Sequence, residues 1–321
     1  MTLKRNKLGP GRPEYKEIKN RLPMLCSKNK RFHVSMVVFT MMFLIFTHNL
    51  NGLGQEVQRP AIWGIAKITF LVSDFQLARD YYGRFLDFDE AFSYDSELGK
   101  VISFKVNDRQ FLEFVQDPLA KEKKRMVSVS LETDNVEQMR QYLSKQGFKV
   151  PEKTRIDGAG NEVFMVDDLS GNHIEFIDLK ADGLHKRSRG QFLSENRISK
   201  RIHHVGIYTE RIVDNDPFYV GALKFKVILR YPEGESTNPT ILYLGMGDCT
   251  ESIEQYAPND PNFGHPCLLV GDMQETIYTL KERKINETLD TPIIGKSKRW
   301  ILNLRNSDQT KIEFTEPYCV R

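Results

Sequence analysis

Apolar and polar positions alternate with changing periods along residues 65–181. Residues 67–72 alternate with a period of two, which predicts a strand, and residues 75–86 have the 3.6-residue period of a helix. Runs separated by Asp, Asn and Gly predict three more strands, at residues 90–94, 101–106 and 111–115. One strand, one helix and three strands make a βαβββ unit.

A second unit follows directly. Residues 126–132 predict a strand, and residues 135–146 predict a helix that ends with Gly147 as its C-cap. Further strands are predicted at residues 163–166 and 173–177. The first half of the chain is therefore expected to be an α+β domain built from two βαβββ units.

The same pattern returns in the second half of the chain. Lys67 and His204 begin similar strands, and Tyr82 and Tyr219 begin similar Tyr-x-x-x-Leu-x-Phe segments. Both pairs are 137 positions apart. Because later landmarks keep this spacing to within one residue, we interpret the two halves as a duplication.

The duplication sets the expected domain plan. Residues 65–181 form a first α+β domain and residues 201–318 a second one. The polar, basic segment 182–200 is interpreted as the linker between them, and residues 55–64 as a linker before the first domain. Residues 1–54 form a basic leader.

The leader has the order of a secretory signal peptide. Residues 1–33 hold ten Lys and Arg but only two Asp and Glu, and a mostly apolar, uncharged run follows at 34–47. This run is shorter than the ~20 residues that a membrane-spanning helix needs. We expect export to the periplasm or the medium. An uncleaved N-terminal membrane anchor is the alternative, and Met24 and Met36 are alternative starts of translation.

Composition and charge narrow the class of protein. With 40% hydrophobic and 28% charged residues, the chain is globular rather than disordered, collagen-like or multi-spanning. The net charge of +3 conceals a leader of +8 and a remainder of −5, so nucleic acid is not an expected partner. Outside the leader, Cys249, Cys267 and Cys319 allow at most one disulfide.

Four strand segments carry a resemblance to a known family: Ile-His-His-Val-Gly-Ile at 202–207, Gly-His-Pro-Cys at 264–267, and the Ile-Glu-Phe segments at 174–176 and 312–314. They resemble the vicinal oxygen chelate superfamily, which includes glyoxalase I, bleomycin-resistance proteins and type I extradiol dioxygenases. The resemblance implies U-shaped mixed sheets whose concave sides hold the site, and a small-molecule substrate as the partner. Two such domains in one chain are most similar to the extradiol dioxygenases.

The resemblance also implies a metal site in the second domain, at His204, His265 and Glu313. Two imidazoles and one carboxylate suit a divalent ion such as Fe²⁺, Mn²⁺ or Zn²⁺, and they leave coordination positions open for substrate. The alternative is that the histidines are hydrogen-bonded cavity residues. By the period of two, His203 is expected on the opposite face, with a structural role.

The first domain departs from the metal-binding pattern. Its equivalent positions hold Lys67, Ser128 and Glu175, and a protonated amine is not a ligand. We expect Lys67 and Glu175 to form an ion pair where a metal would otherwise lie. The first domain would then have a structural role.

The second domain departs from an active ring-cleaving enzyme. Asn238 and Pro239 stand where the family has its acid/base histidine, and the family's tyrosine is missing near Ile301. Tyr243 and Tyr208 are candidate catalytic replacements, with a place in the cavity wall as the alternative. Three functions remain open: a metal-dependent enzyme of the glyoxalase/dioxygenase type, an exported binding protein without turnover, and a pseudoenzyme with an interaction role.

Overall fold

A computed structural model describes residues 57–234, 237–257, 263–283 and 289–320, and Val57–Arg321 form one compact unit. The leader lies outside the described residues, so its signal peptide and the export of the protein remain predictions. None of the described helices is long and apolar enough to cross a membrane.

Two curled mixed sheets of eight strands carry the fold. The first contains β1 (Gly64–Val72), β2 (Glu90–Ser96), β3 (Gly99–Lys105), β4 (Phe111–Gln116), β5 (Met126–Glu132), β6 (Arg155–Ile156), β7 (Glu162–Asp167) and β8 (His173–Asp178). The second contains β9 (Ile202–Tyr208), β10 (Lys226–Tyr231), β11 (Ile241–Gly245), β12 (Ser252–Tyr256), β13 (His265–Leu269), β14 (Ile293–Ile294), β15 (Trp300–Arg305) and β16 (Lys311–Thr315).

Both sheets have the same strand order. It is β2-β3-β4-β1-β5-β8-β7-β6 in the first sheet and β10-β11-β12-β9-β13-β16-β15-β14 in the second. The expected α+β fold of two glyoxalase-type modules is thereby confirmed. We call residues 64–178 the first module and residues 202–315 the second module; the outer limits of the domains remain predictions.

Helices cover the outer faces of the sheets. The helix predicted at residues 135–146 spans Val136–Lys145, and Asn135 caps it by accepting a hydrogen bond from the Gln138 amide. The other helices are Phe75–Ala78, Leu184–Arg187 and Met273–Glu282, the 3-10 turns Ala120–Glu122 and Ile212–Asn215, and the π-helices Arg79–Phe85 and Pro217–Ala222.

The prediction of a helix at residues 75–86 was only partly right. The segment is α-helical for one turn and continues as the π-helix, in which the Leu86 amide donates to the Tyr81 carbonyl. Helical periodicity in the sequence does not distinguish the two forms, because a single wide turn hardly changes the spacing of the apolar positions.

Each module places a turn against the other. The Tyr219 hydroxyl donates to Asp168 Oδ2 over 3.0 Å, and the Ser73 amide donates to Asp308 Oδ2 over 2.9 Å. Asp168 lies in the β7–β8 turn and Asp308 in the corresponding β15–β16 turn, and both are buried. Buried carboxylates need such partners, so these reciprocal hydrogen bonds fasten the modules together.

The segment predicted as a linker is packed against the first module. His185 is 1% exposed, and the fully buried Lys105 donates to the carbonyls of Ser188 and Gln191. Part of the segment 182–200, which was interpreted from the sequence as the linker between the domains, therefore packs against the first module. Its interpretation as the linker remains a prediction.

Candidate metal centre

Four side chains converge on the concave face of the second sheet. They are His204 on β9, Glu254 on β12, His265 on β13 and Glu313 on β16, and each contributes one donor atom to a group whose members all lie within 4.8 Å of one another. All four side chains are buried. The structure therefore brings the three predicted residues together and adds Glu254, which the sequence analysis missed.

The register of the strands explains this convergence. Glu254 and His265 pair with Gly206 from its two sides, and Glu313 pairs with Cys267, two residues beyond His265. Because alternate residues of a strand share a face, all four donors point the same way. A Cβ atom at position 206 would collide with the His265 ring, so this position requires glycine.

The distances between donors suit a shared ion. His204 Nε2 lies 3.5 Å from Glu254 Oε2 and from Glu313 Oε1, and His265 Nε2 lies 3.5 Å from Glu254 Oε2 and 3.6 Å from Glu313 Oε2. Two donors placed about 2.1 Å from one ion would be roughly 3.0 Å apart at octahedral angles and roughly 3.4 Å apart at tetrahedral angles. The cluster is therefore already near the spacing that coordination needs.

One atom of each side chain has no hydrogen-bond partner among the described residues. These atoms are His204 Nε2, Glu254 Oε2, His265 Nε2 and Glu313 Oε1. Leaving buried polar atoms unpaired costs about 1–3 kcal/mol each. A divalent cation would satisfy the four atoms together, so the residues present fit a metal.

The second polar atom of three donors is held by a neighbouring group. The contacts run from the Tyr243 hydroxyl to Glu254 Oε1 (2.9 Å), from Lys311 Nζ to Glu313 Oε2 (3.2 Å), and from His265 Nδ1 to the Phe263 carbonyl (2.8 Å). Contacts of this kind orient metal ligands and fix the histidine tautomer. They leave the unpaired atom of each side chain directed into the cluster.

The protonation states agree with metal binding by His265 and Glu313. Burial, and then the Lys311 ammonium, lower the pKa of His265, so its imidazole is neutral at neutral pH. Burial alone would raise the pKa of Glu313, but Lys311 and the two imidazoles outweigh it and hold the pKa well below its usual value. Burial and the neighbouring Glu254 raise the pKa of Tyr243, which stays a proton donor.

The alternation of the strand predicted His203 on the face opposite His204, but the His203 ring contacts the cluster through His204. Arg299 donates to His203 Nε2 over 2.9 Å, and His203 Nδ1 lies 2.9 Å from His204 Nδ1. Burial, His204 and Arg299 lower the pKa of His203 to about 3, so the ring is neutral. An arginine only donates, so the single proton of His203 lies on Nδ1 and is donated to His204.

This hydrogen-bond order has a consequence for His204. Because its Nδ1 accepts from His203, the proton of neutral His204 lies on Nε2, on the side of the two carboxylates. Coordination through Nε2 requires that proton to leave and the direction of the His203 hydrogen bond to reverse. His265 is thus ready to bind a metal, whereas His204 needs a tautomer change first.

The other candidate residues differ in their position. Tyr243 touches the cluster through Glu254, whereas Tyr208 is half-buried at the end of β9 and is not among the four donors. Cys267 is buried beside the donors, but burial and then Glu313 raise the pKa of its thiol well above the usual value, so it stays protonated. All three cysteines of the described chain are free.

The first module has a cation of its own at the corresponding place. Lys67 Nζ lies 3.1 Å from Glu113 Oε2, 3.4 Å from Glu175 Oε1 and 3.7 Å from Asp157 Oδ2. The predicted ion pair between Lys67 and Glu175 is confirmed, and two more carboxylates share it. The carboxylates outweigh the effect of burial and raise the pKa of Lys67 well above its usual value.

Glu113 is held from two further sides. The Tyr94 hydroxyl donates to its Oε2 over 2.7 Å, and His185 Nε2 lies 3.0 Å from its Oε1. Burial alone would raise the pKa of Glu113, but Lys67, His185 and Tyr94 lower it to about 2. The first module therefore has a buried polar network in place of the four-donor cluster.

The repeat spacing of 137 positions does not reveal that Glu113 and Glu254 are equivalent residues. Glu113 pairs with Thr69 as Glu254 pairs with Gly206, so the two glutamates are equivalent in register. They are 141 positions apart instead of 137. The available signal was a glutamate on the strand beside His204, with the same alternation as the other ligand positions.

Comparison with known proteins agrees with this geometry. Residues 64–176 match the family model described as the Glyoxalase/Bleomycin resistance protein/Dioxygenase superfamily. The first module is a glyoxalase/dioxygenase-superfamily domain. No curated protein matches the chain.

Several solved structures align with both modules together. The 2,3-dioxygenase LapB from Pseudomonas sp. KL28 aligns with a TM-score of 0.63 at 12% identity, over 81% of this chain and 96% of its own. Homoprotocatechuate 2,3-dioxygenase from Arthrobacter globiformis gives 0.62 at 16%, over 82% of each chain. The Mn(II)-bound glyoxalase from Novosphingobium aromaticivorans gives 0.63 at 15%, over 80% of this chain and 83% of its own. These likenesses concern the fold.

Proposed function

We propose that the chain is a divalent-metal-dependent enzyme that acts on a small substrate with two adjacent oxygens. It moves a proton at the carbon next to a carbonyl, in the manner of an isomerase or lyase, and does not cleave a ring. The observation that carries this proposal is the group of four buried donors, each with one unpaired atom. A divalent ion bound there would polarise the carbonyl and stabilise negative charge on its oxygen.

The fourth donor favours proton transfer over ring cleavage. Fe(II) oxygenases use two histidines and one carboxylate, which leave open positions for both substrate and dioxygen. With Glu254 as a fourth protein donor, a six-coordinate ion would have two positions left, which would be enough for two adjacent substrate oxygens and would leave none for dioxygen. Ring cleavage also lacks its acid/base group, because Asn238 and Pro239 precede β11.

The chain's own residues supply the rest of the chemistry. Glu254 and Glu313 are carboxylates on the concave face that can accept a proton from a bound substrate. Tyr243 keeps Glu254 oriented and remains protonated, so it acts as a hydrogen-bond donor and not as a base. Lys311 places a positive charge beside Glu313, where it also helps to hold an anionic substrate.

Metal content tests the proposal directly. Protein purified without chelators is expected to hold one divalent ion per chain, as measured by elemental mass spectrometry. The variants His204→Ala and Glu254→Ala should each lose this ion. Glu113→Gln, in the equivalent register position of the first module, is the matched control and should keep the ion. The proposal would be contradicted if the wild type held no metal, or if both His204→Ala and Glu254→Ala kept it.

The reaction class is tested with the metal that the protein holds. Isomerisation of a glutathione hemithioacetal should proceed and should disappear in Glu254→Ala, while ring cleavage of a catechol should not be detected. Ring cleavage without isomerisation would assign the chain to the dioxygenases instead. Ligand binding that survives removal of the metal, without turnover of either substrate, would identify a binding protein.

A further inference from the structure

The first module contains a cavity whose lining differs from that of the metal centre. A cavity of about 760 Å³ opens on the concave face of its sheet, within the range of small-molecule sites. Lys67 and Glu175 contribute to its floor, and Val101, Val115 and Met165 are among its apolar wall residues. We propose that this cavity binds a small organic amine, independently of the metal centre.

The charge of the floor selects a cation. Lys67 is surrounded by three carboxylates, from Glu113, Asp157 and Glu175, at 3.1–3.7 Å. One ammonium leaves two negative charges uncompensated in this group. A protonated His185 beside Glu113 would still leave one, and the other basic residues of the lining, Lys153 and Arg155, are exposed to solvent, so the buried floor attracts a positively charged head group.

Two hydroxyls are available to the ligand. Thr69 and Ser128 are neighbours across β1 and β5, line the cavity, and are 7% and 5% exposed. Within the part of the chain that the structure describes, neither hydroxyl has a hydrogen-bond partner. Hydroxyls accept hydrogen bonds from an ammonium group, and these two line the cavity, so an ammonium group bound there could donate to both.

The same two positions differ in the second module. Gly206 stands in place of Thr69 and His265 in place of Ser128, and there the ring fills the space. The exchange of a histidine for a serine has therefore left room above the floor of the first module. The apolar walls give this room the shape of a site for an amine with a hydrophobic body.

Three probes of similar size separate the effect of charge from that of shape. They are 2-phenylethylamine, 2-phenylethanol and phenylacetate, titrated into the full chain and followed by calorimetry. We expect one site for the amine, at least tenfold weaker binding of the alcohol, and still weaker binding of the carboxylate. Phenylacetate binding as tightly as the amine, or no binding of any probe, would overturn the proposal.

Variants place the binding in the first module. Glu175→Gln should weaken the amine at least tenfold and leave the alcohol unchanged. Met165→Trp should weaken both by filling the cavity, which keeps the test valid if Glu175→Gln fails to fold. His204→Ala, which removes a metal donor, should change neither. Amine binding that is lost in His204→Ala but retained in Met165→Trp would place the ligand in the second module and refute this site without affecting the proposed function.

Discussion

The hydroxyl of Tyr243 donates a hydrogen bond to Glu254 Oε1 and leaves Glu254 Oε2 free to face two imidazoles. This hydrogen bond explains how Glu254, which was not among the ligands predicted from the sequence, is oriented as part of the candidate centre. Tyr243 lies on β11 and Glu254 directly across from it on β12. A tyrosine predicted as catalytic thus has a clear positioning contact.

Tyr243→Phe should therefore weaken metal binding without abolishing it. Loss of an outer contact typically lowers metal affinity 10- to 100-fold, so we expect about a tenfold increase in the dissociation constant for Zn²⁺, measured by competition with a chromophoric chelator. Tyr208→Phe is the control, because Tyr208 is outside the donor group. Equal effects of the two substitutions would contradict the positioning role.

Arg299→Met should have the opposite effect and tighten metal binding. Arg299 donates to His203 Nε2 and thereby favours the tautomer that keeps a proton on His204 Nε2. Removing that donor lets His203 accept from His204 instead, which frees Nε2 for the metal. We expect a several-fold lower dissociation constant for Zn²⁺.

The control for Arg299→Met is Arg305→Met. Arg305 lies at the other end of β15 and donates to the Gln309 carbonyl. It should leave the affinity unchanged. Weaker metal binding in Arg299→Met would show that the His203 hydrogen bond supports coordination in its present direction.

A second metal centre can be built in the first module. Glu113 and Glu175 already occupy the register positions of Glu254 and Glu313. The combined substitutions Lys67→His, Thr69→Gly and Ser128→His should raise the metal content from one to two ions per chain.

Thr69→Gly is essential in this combination because the new ring at position 128 needs the space that Gly206 provides in the second module. The variant with Lys67→His and Ser128→His alone is the matched control and should bind the second ion much more weakly. A metal content that stays at one in the triple variant would show that register alone does not recreate the centre.

The Glu113 network should contribute stability that depends on pH. The folded-state pKa of about 2 is below the usual 4.5, so the folded state favours the ionised carboxylate. The contribution is present above pH 4.5 and is lost as the pH falls towards 2. The shift corresponds to about 3 kcal/mol.

Urea unfolding between pH 5.5 and 2 checks this expectation. In Glu113→Gln the free energy of unfolding should fall less steeply over that range than in the wild type. Glu90→Gln, which breaks a solvent-exposed ion pair with Arg79, is the control and should change stability by about 1 kcal/mol or less. Parallel curves for wild type and Glu113→Gln would refute the role of Glu113.

Much of the fold and most of the centre followed from the sequence. The family resemblance, and not a local pattern, pointed to His204, His265 and Glu313 as metal ligands, and the structure brings them together. Glu254 escaped because the segment before it is longer than its counterpart in the first half. Its position depends on strand pairing with Gly206, which no local pattern encodes.

The role of His185 was hidden for a related reason. It lies in a polar, basic segment of the kind that usually connects domains in water. Its burial depends on Glu113, a partner 72 positions away along the chain. A contact of that range is set by tertiary packing and leaves no periodic trace.

The reciprocal turns also limit how the polypeptide can be produced. Asp168 belongs to the first half, but its hydrogen-bond partner Tyr219 is synthesised later. Asp308, the partner of Ser73, is synthesised later still. During synthesis on the ribosome the amino-terminal half therefore cannot complete its own hydrogen bonding. Each half needs the other to form these hydrogen bonds. If the two halves were expressed separately, each would therefore keep a buried carboxylate without its partner from the other half.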